Sequence, residues 1–253
     1  MTSYEHKVKN IYLWSPYNEG QPLIPGDYTL LRWPCDEGFH VPLKEELQAI
    51  IDVGLTFSQA KVNLHIPIAG GRSAQDGSWI NPHYGYLLSS SPNGDKICQL
   101  YLNSSYMGIT DTTVRSVGMT VRAFRDAPII PDSSWTETLN WKVWYNSTLW
   151  LISILVWTNQ YITMQDKNVW ATVVYNDWDT LTNANRGKYF QRWNNYWFTY
   201  WSTWDTSSTR VDASGYWPNN PYSSSTFITT PSWTNDRSTV QNDNLRWYTD
   251  FNS

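Results

Sequence analysis

The sequence predicts an α+β fold, with one main helix, several short antiparallel strands and much irregular loop. Three observations carry this. One amphipathic stripe at helical spacing lies in residues 43–54, several short segments alternate with period two, and Gly, Pro, Asn and Asp punctuate the chain. The 253 residues suffice for a buried core, and 41% hydrophobic content excludes a disordered chain. Eighteen basic against 22 acidic residues, a net charge of −4, give no electrostatic footprint for nucleic acid or an anionic membrane.

The helix is expected first. Pro42 suits its first position, and Glu45 and Glu46 sit where the helix dipole welcomes negative charge. Leu43, Leu47, Ile50 and Ile51 form the apolar stripe, and Gly54 supplies the stop. A hairpin follows, with Gly85–Ser91 and Lys96–Leu102 flanking the turn Pro92-Asn93-Gly94-Asp95. On its second strand Cys98, Leu100 and Leu102 share a face. A later strand turns Val117, Met119, Val121 and Ala123 inward and Thr120 and Arg122 outward. In the other half, Leu149–Trp157, Tyr161–Met164 and Val169–Tyr175 read as strands. From Asn176 onward turn formers dominate, and helix content is expected to be close to nil.

Composition shifts near residue 130. Residues 1–130 hold 3 Trp and 11 Gly, whereas residues 131–253 hold 14 Trp and 2 Gly. With Pro128 and Pro131 at the break, the chain divides into two expected modules, 1–128 and 129–253, the second mostly β or irregular and related but incomplete. The N-terminus lacks the apolar run of a signal peptide, and the most apolar stretch, Leu149–Trp157, is about half a membrane span. No membrane insertion is expected; an export signal would lie outside this chain.

Specific strings carry a resemblance. Cys35-Asp36-Glu37-Gly38-Phe39-His40-Val41-Pro42, followed by the helix, resembles the "C-P-x-G-[WF]-H-V-P" string of the Fibrobacter succinogenes major paralogous domain family. That family is related to the formylglycine-generating-enzyme and C-type-lectin-like folds. Ala69-Gly70-Gly71-Arg72, Asp76-Gly77-Ser78, Gly85–Ser91 and Val117–Arg122 continue the family order over roughly residues 31–126. In the other half, Asp166-Lys167-Asn168-Val169-Trp170-Ala171-Thr172 and Gly187-Lys188-Tyr189-Phe190-Gln191-Arg192-Trp193 are similar to the strings that open the family's domain. Here they come last. A tandem array with an incomplete second domain accounts for this order; a permuted single domain, in which both halves share one continuous sheet, is the alternative.

The resemblance implies a C-type-lectin-like module at residues 1–128. It also brings a cysteine on the last strand to bridge the first, but Ala123 stands there, so the usual bridge is lost; Cys98, on a neighbouring strand, is the alternative partner for Cys35, and the two cysteines form one bridge or none. Trp170 stands where the family has Gly, and Trp178, Trp197 and Trp217 occupy turn-like contexts that favour Gly. A gene whose UGA codons mean glycine, translated under another code, would produce this inversion.

The residues favour binding over catalysis. His6, His40, His65 and His83 show no diagnostic spacing with a nucleophile or a metal-ligand cluster, and the fold-related oxidase's closely spaced cysteine pair has no counterpart. Zinc would need clustered Cys and His ligands, which the sequence lacks; calcium is the alternative cation, for which Asp76, Asp95 and Asn242-Asp243-Asn244 are the oxygen donors, but turn capping explains each more cheaply, so no cofactor and no metal site are expected. The candidate ligand-binding set is aromatic: Trp193, Tyr196, Trp197, Tyr200, Trp201, Trp204, Tyr216 and Trp217. Rigid rings beside Asn, Asp and Ser suit sugars or protein partners. The sequence therefore predicts a non-catalytic bacterial surface or exported binding or adhesion protein, taking a glycan or protein ligand. A structural spacer of a surface array is the alternative.

Overall fold

The computed structural model describes residues 35–36, 38–93, 96–114, 116–177, 179–191, 197–199, 205–209 and 224–229. Strand β1 (Phe39–His40) leads into helix α1 (Lys44–Asp52), which begins two residues after Pro42 rather than on it. The carbonyl of Pro42 is engaged across the fold, accepting from the Ser90 backbone N–H at 2.8 Å. Leu47 and Ile50 are fully buried, each worth roughly 2 kcal/mol. Gly54, at φ +77, ends the helix as its position suggested.

A second helix, α2 (Phe57–Asn63), is not among the expected elements. Its start is a capping box. The Thr56 hydroxyl accepts from the Gln59 N–H at 3.2 Å, and the Gln59 side chain accepts from the Thr56 N–H at 2.9 Å.

Strands β2 (Gly71–Arg72) and β3 (Trp79–Ile80) precede the hairpin β4 (Gly85–Asn93) and β5 (Lys96–Asn103), to which β6 (Tyr106–Val114) adds. These last three form an antiparallel sheet in which β4 and β5 bury residues on both faces. Leu87, Leu100 and Leu102 join the core under α1 and α2, whereas Tyr86, Leu88 and Ile97 join a second core with Val117, Met119, Val121 and Ala123. The expected later strand is two strands, β7 (Gly118–Thr120) and β8 (Arg122–Arg125), in different sheets. Its four inward residues are buried as expected. Thr120 and Arg122 are not outward: both have no exposure, because the opposite face is covered too.

The chain then forms a meander of β9 (Thr136–Leu139), β10 (Val143–Asn146), β11 (Leu151–Trp157) and β12 (Gln160–Asn168). Strand β12 replaces the short strand expected at Tyr161–Met164. Residues 169–175 are turn and loop rather than a strand, since the Ala171 N–H folds back onto the Asn168 carbonyl at 2.9 Å. A single-turn helix α3 (Asn183–Arg186), β13 (Tyr189–Gln191), β14 (Trp197–Phe198) and the parallel pair β15 (Thr206–Ser207) and β16 (Phe227–Ile228) follow.

The architecture is mostly antiparallel β with few helices. A six-stranded sheet has the order β1-β8-β12-β11-β10-β9, and a five-stranded sheet the order β14-β13-β7-β2-β3. Both sheets cross the expected module boundary at 128/129. Strands β1 and β8 pair into the β12 meander, and β7 pairs with β13. The core does the same, packing Leu47, Leu100 and Phe124 with Ile152, Ile154 and Met164. Apolar faces from both sides of the boundary thus cover one another, and residues 35–191 do not separate into two cores there. Cys35 and Cys98 form no disulfide. No helix among the described residues is long and apolar enough to cross a membrane.

Candidate functional site

Two of the four histidines sit in polar clusters. At the end of β1, the His40 ring lies 3.0 Å by Nδ1 from Asp126 and 2.9 Å by Nε2 from Glu46. Glu46 also accepts from the Leu43 N–H at 2.9 Å, so one carboxylate closes the helix start and holds the ring. Burial opposes the charged imidazole, but Glu46 and Asp126 outweigh it and raise the pKa to about 9. Both nitrogens therefore donate, and His40 is a buried cation clamping α1 to the end of β8.

The second cluster centres on Arg122. Its Nη1 donates to the Leu64 and Gln165 carbonyls, its Nη2 to the His65 carbonyl, each at 2.9 Å, and its Nε to Asn168 Oδ1 at 3.0 Å. Burial lowers its pKa, partly offset by Asp166, to about 9. Asp166 is fully buried; its Oδ2 accepts from the Tyr145 hydroxyl at 3.0 Å, while its Oδ1 has no hydrogen-bond partner. Burial and Asp166 together push the Tyr145 phenol up to about 12, so it holds its proton. His65, at φ +51, donates from Nδ1 to the Tyr175 carbonyl at 3.0 Å, and burial followed by Arg122 keeps its pKa below the usual value.

Sequence reasoning missed Arg122 and Asp166 as a network. Alternation sent Arg122 to solvent; the available signal was a charged residue inside the apolar run Val117–Phe124. Asn168 links this network to the next segment, since its Nδ2 donates to the Arg186 carbonyl at 3.0 Å. Gly187, at φ +79, permits the approach: a Cβ there would lie 2.8 Å from both Asn168 Cβ and the Val169 carbonyl oxygen. The strings around Arg122, Asn168 and Gly187, remote in sequence, meet at one place.

Of the predicted aromatic set only Trp197 is described; Trp193, Tyr196, Tyr200, Trp201, Trp204, Tyr216 and Trp217 lie outside the described residues. Trp197 is half-buried on β14, edge-to-face with Trp170 at 5.8 Å, with Lys188 Nζ 4.4 Å over its ring. Burial lowers the Lys188 pKa. What the structure adds is the anchoring around this set. Arg72 donates from Nη1 to the Gly77 carbonyl at 2.6 Å and from Nε to the Thr199 carbonyl at 3.1 Å. Gln191 brackets the Ile228 backbone, donating to its carbonyl at 2.6 Å and accepting from its N–H at 3.1 Å. Tyr189 donates to the Ala69 carbonyl.

Of the oxygen donors considered for calcium, Asp76 is described. Its carboxylate accepts from the Ser78 hydroxyl and N–H at 2.7 and 3.0 Å, and these bonds hold it below the usual carboxylate range. That is a turn cap. Asp95 and residues 242–244 lie outside the described residues. Among the described residues no group of three or more His, Cys, Asp or Glu is placed to hold a metal ion. Searches for similar proteins found no matching family model, no matching curated protein and no matching solved structure.

Proposed function

We propose that this chain is a non-catalytic binding module, exported or surface-displayed, that captures a glycan or protein ligand on irregular segments held by a lectin-like β platform. The observation that carries the reading is the anchoring of those segments. Buried Arg72 and Gln191 fasten residues 199 and 228 to the five-stranded sheet through their backbone groups, leaving side chains of the neighbouring residues to vary without loss of the anchor. The histidine and arginine clusters support it as well. His40 and Arg122 are occupied in joining elements, with polar contacts made to protein groups rather than towards an open cleft.

A glycan array, screened beside a panel of surface proteins, tests this. Binding that falls roughly tenfold or more in Tyr196→Ala, with an unchanged unfolding midpoint, supports capture. Silence across glycans and proteins removes the reading and favours the spacer.

A further inference from the structure

Twelve described residues adopt positive φ in the left-handed region. Five are glycines: Gly38, Gly54, Gly70, Gly77 and Gly187. Four of the others are Asn81, Asn140, Asn159 and His65, types whose short or polar side chains tolerate this region. The remaining three are Trp141 (φ +58), Trp150 (φ +62) and Trp170 (φ +62). A bulky side chain is a true outlier there, since its Cβ crowds the following carbonyl. Three of the eight described tryptophans share this anomaly, and all three lie in the half of the chain that is poor in glycine.

Each stands where turn chemistry demands glycine. Asn140-Trp141 are the central residues of the β9–β10 turn, closed by the Lys142 N–H on the Leu139 carbonyl at 2.7 Å. Positive φ at both centres is the hairpin turn that Asn-Gly forms. Trp150 is the last residue of the β10–β11 loop, directly before β11, where such loops place a left-handed residue. Trp170 is the third residue of the turn closed by Ala171 on Asn168, and positive φ at that position calls for glycine. Trp141 is 74% exposed, so no buried indole offsets its backbone cost. Trp79 is the contrast. It has an ordinary φ, its indole donates to the Ala69 carbonyl at 3.1 Å, and Gly70 makes room for it, because a Cβ there would lie 2.4 Å from the indole nitrogen.

We infer that residues 141, 150 and 170 are glycine in the protein as its own organism makes it, encoded by UGA triplets that its genetic code reads as glycine. Trp79 is a true tryptophan encoded by UGG. The inference is independent of ligand capture and alters what could perform it: tyrosines 196, 200 and 216 are untouched, and Trp197, expected in a glycine-favouring turn, lies instead on β14 without positive φ, so the backbone argument does not extend to it.

The coding DNA is the first test. UGA at codons 141, 150 and 170 with UGG at 79 is expected; UGG at any of the three overturns the assignment. A peptide mass from the source organism gives a second reading, with glycine at 141 expected and tryptophan overturning it. The backbone argument has its own test in the recombinant chain. W141G raises the folding equilibrium constant roughly tenfold, because the left-handed penalty is removed. W157G, at a residue 73% exposed on β11 with ordinary φ, does not raise it. Equal or lower stability of W141G than of the parent chain overturns the turn assignment.

Discussion

His40 and Arg122 are both buried cations, one held by carboxylates and the other by carbonyl groups. His40 joins β1, the start of α1 and the end of β8, all on one side of the expected module boundary, through Glu46 and Asp126. Arg122 joins Leu64 and His65, which follow α2, to Gln165 and Asn168 on β12, across the expected module boundary. The difference teaches that a joint within the first expected module and a joint across its boundary use different chemistry here, although both reach far along the chain. The His40 clamp pairs a titratable cation with carboxylates. The joint between the halves uses neutral acceptors that do not titrate, so its charge rests on Arg122 alone, whose pKa burial lowers to about 9, whereas burial and two carboxylates act in opposite directions on His40.

The most direct way to break this contrast is Arg122→Met. It leaves three carbonyls and the Asn168 side chain without their donor, and the expected loss is about 3–5 kcal/mol in urea unfolding. Should that chain fail to fold, Arg122→Lys retains the charge but not the fork of donors, and an intermediate loss is expected. A loss below about 1 kcal/mol in either would end the idea that Arg122 joins the halves.

His40→Gln is expected to cost somewhat less, about 3 kcal/mol at pH 6, and to change the pH profile. The folded pKa of about 9 lies above the unfolded value of 6.5. The charged clamp therefore contributes fully below about pH 6.5 and is lost as pH rises through 9, a fall of roughly 3 kcal/mol. Stability measured between pH 6 and pH 10 should show this fall in the parent and in any foldable Arg122 variant, and a flattened profile in His40→Gln. A slope surviving in His40→Gln would assign it to other groups.

Asp166→Asn sharpens the Arg122 side. The amide still accepts from Tyr145 but removes the nearby negative charge, so a loss of about 1 kcal/mol is expected if carbonyls do most of the holding. A loss as large as that of Arg122→Met would instead make the pair ionic in character. The smallest effect belongs to Thr56→Ala. It removes the α2 cap that delivers the Leu64 and His65 carbonyls, at about 0.5–1 kcal/mol by thermal unfolding.

The legible part of the fold follows from these particulars. The α1 stripe, its Gly54 stop and the β4–β5 hairpin could be read because spacing and turn residues act within a few positions. The Thr56–Gln59 capping box was equally local and marked α2, yet its short helix lacks a strong apolar stripe. The β9–β10 hairpin went unread for a different reason. Asn-Gly announces such a turn and Asn140-Trp141 does not, although its backbone is the same. Of the candidate site, one residue of eight, Trp197, is described. The anchors Arg72 and Gln191 were invisible because their partners are backbone atoms of Thr199 and Ile228, which no side-chain motif encodes.

By itself the sequence determined the local elements, the charge balance and the uneven use of tryptophan and glycine, since each depends on neighbours along the chain. Tertiary structure alone decided that Arg122 points into protein, that β7 and β8 part into different sheets, and that strands on both sides of residue 128 share a core. The physical reason is burial on both faces. Period-two alternation separates core from solvent only when one face of a strand is wet, and here packing covers both, so a polar side chain on the second face must find its partners from distant parts of the chain.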